Sequence, residues 1–180
     1  TARFTERKRT DGAVDFHDLE QLALQLLWDA APRRPSAIAH HWRGKLCFVF
    51  VDEYQDINAA QDQIIAALSR EGTEANRFLV GDVKQSIYRF RLAEPGIFRA
   101  YARDWKAGAG TALALAENFR SRAAILEFAN AVFTPLMREE IGGVSYDTEA
   151  RLIPGLPPDG LRIAGSVEPQ SEAASGSVHA

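Results

Sequence analysis

The chain has 180 residues, 46% of them hydrophobic and 25% charged, the balance of an ordinary globular sequence with room for one domain and the start of another. A formal net charge of -3 excludes nucleic-acid binding through bulk basicity, so any such contact must come from a local patch or from stacking. Cys47 is the only cysteine, which excludes an internal disulfide and any multi-cysteine metal site and suits a reducing cytoplasm.

Residues 1–14 are polar and charged, end in the turn signal Asp11-Gly12, and carry no apolar stretch of the kind a secretory signal needs. The chain opens on Thr1 rather than methionine, which points to a piece of something longer. Asp15 is a candidate cap for a helix starting near Phe16. Phe16, Leu19, Leu22, Ala23, Leu26 and Leu27 follow its three-and-four spacing, and Pro32 and Pro35 end it. A short helical turn is expected over residues 36–42. The longest unbroken apolar run, Leu46 to Val51, is too short to span a membrane and reads as a parallel strand buried on both faces. A helix over about 57–68 follows, with Ile57, Ile64, Ile65 and Leu68 inward, and then a second strand over 77–80.

Pro95 suits the first turn of a helix reaching about Trp105. Gly108-Ala-Gly110 reads as a linker, 111–116 as a third strand, and Ser121 as the cap of a helix to about Met137. Gly142-Gly143 and Pro154, Pro157 and Pro158 break the pattern, and disorder is expected from Glu168 onward. Alternating strands and helices predict an α/β fold with a parallel sheet flanked by helices.

The chemistry concentrates where the apolar strands end. Val51-Asp-Glu-Tyr-Gln-Asp56 places adjacent carboxylates at the carboxyl edge of a parallel sheet, where ligands of open α/β folds bind. In a nucleoside triphosphatase one such carboxylate holds Mg²⁺, a hard ion that keeps much of its water, and the next orients or deprotonates the attacking water. Asp52 and Glu53 would equally well cap the following helix, where negative charge is favoured. Gly81-Asp-Val-Lys-Gln-Ser-Ile-Tyr-Arg-Phe-Arg91 follows the second strand. There Gln85 can donate and accept hydrogen bonds, as a sensor of γ-phosphate or water must. Tyr88 and Phe90, interleaved with Arg89 and Arg91, combine aromatic faces with positive charge, the chemistry of a single-strand platform. Core packing is the competing reading for Phe90.

Asp52-Glu-Tyr-Gln-Asp56 resembles helicase motif II of the UvrD, PcrA and RecB group, residues 81–91 resemble motif III, and Glu117-Asn-Phe-Arg-Ser121 resembles motif IV. Val14-Asp-Phe-His-Asp-Leu19 is similar to a short motif preceding motif II. Lys84, Phe90-Arg-Leu-Ala-Glu-Pro95 and Tyr146-Asp-Thr-Glu-Ala-Arg-Leu152 look closest to the AddA branch of helicase–nuclease proteins.

The resemblance implies a RecA-like P-loop motor, incomplete here, acting with ATP and Mg²⁺ on single-stranded and duplex DNA beside an AddB-type nuclease subunit. It divides the chain into a helical lead-in (1–42), the carboxyl part of a first motor domain (43–108), the opening of a second (109–150) and an irregular tail (151–180). It implies Asp52 as the Mg²⁺ carboxylate, Glu53 as the catalytic carboxylate and Gln85 as the γ-phosphate contact that couples hydrolysis to DNA. Tyr88, Phe90 and Arg91 would touch the single strand or stabilise the crevice between the motor domains. Arg120 would be an arginine finger, although without the resemblance a surface ion pair is the simpler role for it.

A phosphate cradle of the form G-x-x-x-x-G-K-[ST] is missing from these residues. At Gly44-Lys45, Leu46 stands where Ser or Thr is required and Ala39 where the first glycine is required. His17, His40, His41 and His179 are scattered and form no ligand set. The chain alone is therefore expected to be inactive as an ATPase. The competing readings are a piece of a UvrD- or PcrA-type repair helicase, a single-strand binding module without a motor, and an interaction protein that engages a nuclease.

Overall fold

The computed structural model describes residues 2–142 and 145–155. Pro157, Pro158 and the tail expected to be disordered lie outside them. The chain packs as two compact units that divide between Leu113 and Ala114.

The first unit opens with a helix that the polar character of residues 1–14 did not suggest, α1 (Ala2–Asp11). Its Arg, Lys and Glu residues are good helix formers, and Gly12 ends it at φ +61°. In α2 (Phe16–Leu27), Asp15 is the N-cap. Its carboxylate accepts from the Asp18 N–H at 2.9 Å, while Asp18 accepts from the Asp15 N–H at 3.0 Å, a reciprocal capping box. Lys8 joins both carboxylates at 2.9 and 2.6 Å and ties α1 to this cap. Those hydrogen bonds, Asp18 foremost, raise the Lys8 ammonium above its ordinary value.

Ser36 caps α3 (Ala37–Lys45), which is longer than the expected turn. The first strand is correspondingly shorter than Leu46–Val51. Leu46 closes α3 by donating to the Trp42 carbonyl, and β1 is only Val49–Val51. Asn58 and Gln61 form a second capping box at the start of α4 (Ala59–Leu68), and Glu20 of α2 accepts from both their carboxamides, at 3.0 and 2.9 Å. Leu27, Ala39 and Ala67, one from each of α2, α3 and α4, form the buried core, with Trp28, Ile64 and Leu68 packed against it. The carboxyl ends of α3 and α4 are closed by an exchange of arginines. Arg43 donates to the carbonyls of Ala66 and Ala67 at 2.8 and 2.7 Å, and Arg70 donates to those of Arg43 and Leu46. Each guanidinium satisfies carbonyls that a helix end leaves without partners.

β2 (Arg77–Leu79) pairs with β1 in parallel, Val49 opposite Arg77 and Val51 opposite Leu79, with α4 as the crossover. The sheet is not buried on both faces. Phe48, Phe50 and Phe78 are 67%, 70% and 56% exposed and touch ring to ring at 5.8 and 5.6 Å. Among the described residues nothing covers that face, so the apolar strand pattern meets solvent. On the other face Arg77 reaches Tyr101 of α5 (Pro95–Asp104), whose first residue is the expected proline. The expected linker is a wide helical turn over Trp105–Ala109, kinked at Gly108 (φ +112°).

Residues 111–116, which run across the division between the units, form no strand. In the second unit only β3 (Glu117–Asn118) finds a partner, pairing in parallel with β4 (Ile153–Pro154). The N-cap of α6 (Ala123–Leu136) is Arg122, not Ser121, and the Ser121 N–H donates to Asn118 Oδ1 at 2.8 Å in the turn that precedes the helix. Buried Asn130 of α6 accepts from the Leu152 N–H and the Tyr146 hydroxyl and donates to the Leu152 carbonyl. This gives the segment from Tyr146 to Leu152 a structural role. A short α7 (Glu139–Gly142) precedes it.

Candidate nucleotide and single-strand site

The β1–α4–β2 crossover puts the ends of β1 and β2 side by side, and the polar residues leave the sheet from that edge. The Val80 N–H donates to the Val51 carbonyl and the Tyr54 N–H to the Val80 carbonyl, both at 2.9 Å, so Val80, one residue past β2, is bonded to the end of β1 and to the turn that follows it. Asp52 and Glu53 are exposed, and the Glu53 N–H donates to Asp52 Oδ1 at 2.8 Å. Glu53 takes the left-handed conformation at φ 51° and ψ 41°, a costly one for a residue with a Cβ and one that clusters at functional positions. A tight turn over Tyr54–Asp56 follows, closed by the Asp56 N–H on the Glu53 carbonyl at 2.9 Å.

Two buried residues in this turn hold it. The Tyr54 hydroxyl donates to Asp62 Oδ1 at 2.7 Å, Tyr101 donates to the same oxygen at 3.1 Å, and Arg77 donates to the Tyr101 hydroxyl at 2.8 Å. Burial, and then the hydrogen bond to Asp62, push the Tyr54 hydroxyl well above the usual phenol range. Gln55 is fully buried. Its Nε2 donates to Glu53 Oε2 at 2.7 Å, and its Oε1 accepts from the Asp82 N–H at 2.9 Å. Gly81 leaves room for this. A Cβ there would lie 2.6 Å from Gln55 Oε1 and 3.2 Å from the Gln55 backbone nitrogen.

Beyond β2 the loop is organised by Asp82. Its carboxylate accepts from the Lys84 N–H at 3.0 Å, pairs with the Lys84 ammonium at 2.9 Å and accepts from Gln85 Nε2 at 3.0 Å. Burial alone would raise the Asp82 carboxyl, but these hydrogen bonds and the Lys84 charge outweigh it and hold the group below its ordinary value. Gln85 therefore stands beside Asp82, and a chain of contacts Gln85–Asp82–Gln55–Glu53 joins the two strand ends. Further along the loop Arg91 lies over the rings of Tyr88 and Phe90, 5.4 and 5.6 Å from their centroids. Phe90 is 76% exposed, so it is not a core residue. Arg120 belongs to the second unit, where it is exposed and its backbone N–H donates to Asn118 Oδ1 at 3.0 Å.

Asp52 and Glu53 do not cap α4; Asn58 does. Their carboxylates accept instead from the Glu53 N–H and the Gln55 carboxamide, and both residues stay exposed to solvent. Among the described residues no group of three or more His, Cys, Asp or Glu side chains could enclose a metal ion. An exposed aspartate as a single hard-oxygen donor fits Mg²⁺, which retains several waters and shares phosphate oxygens, and does not fit an ion that needs a full protein cage. One buried oxygen here, Asp56 Oδ1, has no hydrogen-bond partner among the described residues. Sequence reasoning missed Gln55, Asp62 and Asp82. A polar Gln between two carboxylates, and a Gly placed just before Asp82, were the available signals.

Residues 1–106 match the UvrD/REP helicase N-terminal domain. The chain belongs to this family. Among individual relatives, two proteins named as ATP-dependent helicase/nuclease subunits of the AddA type, from Bacillus cereus (strain AH187) and Bacillus thuringiensis (strain Al Hakam), are each 45% identical over 175 residues, covering 93% of this chain. The chain spans 14% of the length of these curated relatives. The UvrD/REP match takes in α1 to α5 and both strand ends described above, and the mixed helices and small parallel sheets agree with a helicase N-terminal domain.

Proposed function

We propose that the chain is part of an AddA-type ATP-dependent DNA helicase–nuclease that couples ATP hydrolysis to movement along single-stranded DNA in double-strand-break repair. Residues 43–108 would be the carboxyl part of a RecA-like motor domain and 109–150 the opening of a second. The observation that carries this reading is the pair of exposed carboxylates at the end of β1, with Glu53 joined through Gln55 to the loop that bears Gln85 and the Tyr88–Arg91 aromatics. Its likeness to proteins whose names specify an ATP-dependent helicase/nuclease supports the same conclusion.

In this reading Asp52 holds Mg²⁺ through water, and the ion supplies charge neutralisation at phosphate oxygens. Glu53, set in its left-handed turn, orients the attacking water and accepts its proton. Gln85 hydrogen-bonds the γ-phosphate, and Arg120 adds positive charge as hydrolysis proceeds. Tyr88 and Phe90 stack on bases while Arg91 meets the backbone. The whole protein works in the cytoplasm with an AddB-type nuclease partner.

Two measurements test the reading. The first is anisotropy of a labelled oligothymidylate with the purified chain. Each base–aromatic stack contributes about 1–3 kcal/mol, so Tyr88→Ala and Phe90→Ala should each weaken binding roughly tenfold. Equal binding by both variants sinks the platform. The second is DNA-stimulated ATPase, with Glu53→Gln as control. These residues hold no phosphate cradle, and no activity above the control is expected. Activity that Glu53→Gln abolishes would show that the chain grips a triphosphate by other groups.

A further inference from the structure

Gln55 is shielded from solvent, and its carboxamide bonds residues that follow both strands, Glu53 after β1 and Asp82 after β2. Its carboxamide is planar, and its orientation is set by chemistry. The end facing the Glu53 carboxylate must donate, at 2.7 Å, and the end facing the Asp82 N–H must accept, at 2.9 Å. The Nε2 end also lies 3.4 Å from Asp56 Oδ2, and the Ser86 hydroxyl donates to the Gln55 carbonyl at 3.3 Å. The close approach of Gly81 confines the Oε1 end, because even a methyl group there would overlap it. The Tyr54 N–H on the Val80 carbonyl anchors the neighbouring residue to the sheet. The amide is thus held from the turn and from the loop.

We infer that Gln55 is a positioning residue that makes the carboxylate of Glu53 move with the loop of Asp82, Lys84 and Gln85. The inference rests on the helicase reading for its purpose, since that reading puts the water-orienting carboxylate on one side of Gln55 and the phosphate and single-strand contacts on the other. Asp82 gathers Lys84 and Gln85 on its carboxylate while its own N–H sits on Gln55. A displacement of the loop is therefore passed by two hydrogen bonds, through one rigid amide, to Glu53. A glutamine buried only to fill space would satisfy its polar ends but would transmit nothing.

The test uses the intact 180-residue chain, isotope-labelled for NMR, and needs neither ATP nor DNA. Its failure is therefore separate from failure of the helicase reading, which the binding measurement above decides. In Gln55→Met, amide exchange at Asp82 should rise at least tenfold while Val80, bonded across the sheet to Val51, keeps its rate. Unchanged exchange at Asp82 overturns the inference. The second readout is the side-chain carboxyl carbon of Glu53 when the loop is disturbed by Lys84→Ala. Its resonance should move in the parent chain and stay still when Gln55→Met is also present, a double-mutant cycle of position. An equal response in both backgrounds overturns the inference.

If Val80 also loses protection, methionine has opened the sheet, and Gln55→Glu replaces it. In its ionised form that variant still accepts from Asp82 but cannot donate to Glu53, so the readout is taken at a pH where the two carboxyl groups share no proton. Asp82 should then stay protected while the Glu53 response disappears, and a retained response rejects the link.

Discussion

Asp82 shows how one carboxylate can organise a loop whose sequence announces only a turn. Its ionised form accepts from Lys84 and Gln85, so it gives up its proton more readily in the folded chain than in the unfolded one. The sign of the pH dependence follows. The contribution to stability is complete above the ordinary value of 3.8 and is lost as pH falls through the lower, folded value. Thermal unfolding followed across that acid range should show a pH-dependent loss that Asp82→Asn removes; an identical acid profile in the variant would mean that the loop is held by other contacts. The placement of Asp52, Glu53, Gln85 and the aromatics of 88–91 just beyond the two strands was legible because their residue types stand at the ends of apolar runs. Gln55 and Asp82 were not, because their importance lies in which strand end each touches, and pairing between segments is not written in either one.

At the scale of elements, the helices of the first unit are held by exchanged ends more than by core. The buried apolar cluster among α2, α3 and α4 is small, and Glu20, Arg43 and Arg70 each bind the terminus of a neighbouring helix. Removing Arg70 leaves the Arg43 and Leu46 carbonyls without their charged donor, at a cost of about 2 kcal/mol. Arg70→Ala should therefore lower the Tm by roughly 5–10 °C in a thermal melt. Adding Arg43→Ala should cost less than the sum, because the two arginines close one junction. An Arg70→Ala melt within a degree of the parent chain would refute the exchange as a source of stability. The cap at Asp15 could be read in advance because an Asp-x-x-Asp spacing is local. The cap expected at Ser121 is not formed: α6 starts one residue later, after a local turn in which Asn118 Oδ1 accepts from the Arg120 and Ser121 N–H groups.

For the whole molecule, the open sheet face is the dominant liability. Phe48, Phe50 and Phe78 form a contiguous exposed aromatic row on a sheet of two strands, a surface that invites association. The isolated chain is expected to self-associate in sedimentation velocity, and Phe50→Ser, at the centre of the row, should shift it toward monomer. A monomeric parent chain at tens of micromolar would contradict this. The same apolar pattern that suggested a strand buried on both faces is thus met by solvent on one of them.

Local chemistry, by itself, determined the family motifs, the capped start of α2, the proline-led α5 and the carboxylates at the end of β1. Each depends on residues close together in the chain and on propensities that act over one or two turns. Only the tertiary structure decided the length of β1, the loss of the strand expected over 111–116, the arginine exchange between α3 and α4, and the path from Glu53 through Gln55 to Asp82. These depend on which distant segment supplies a hydrogen-bond partner, and a backbone or buried amide takes the conformation in which that partner is met.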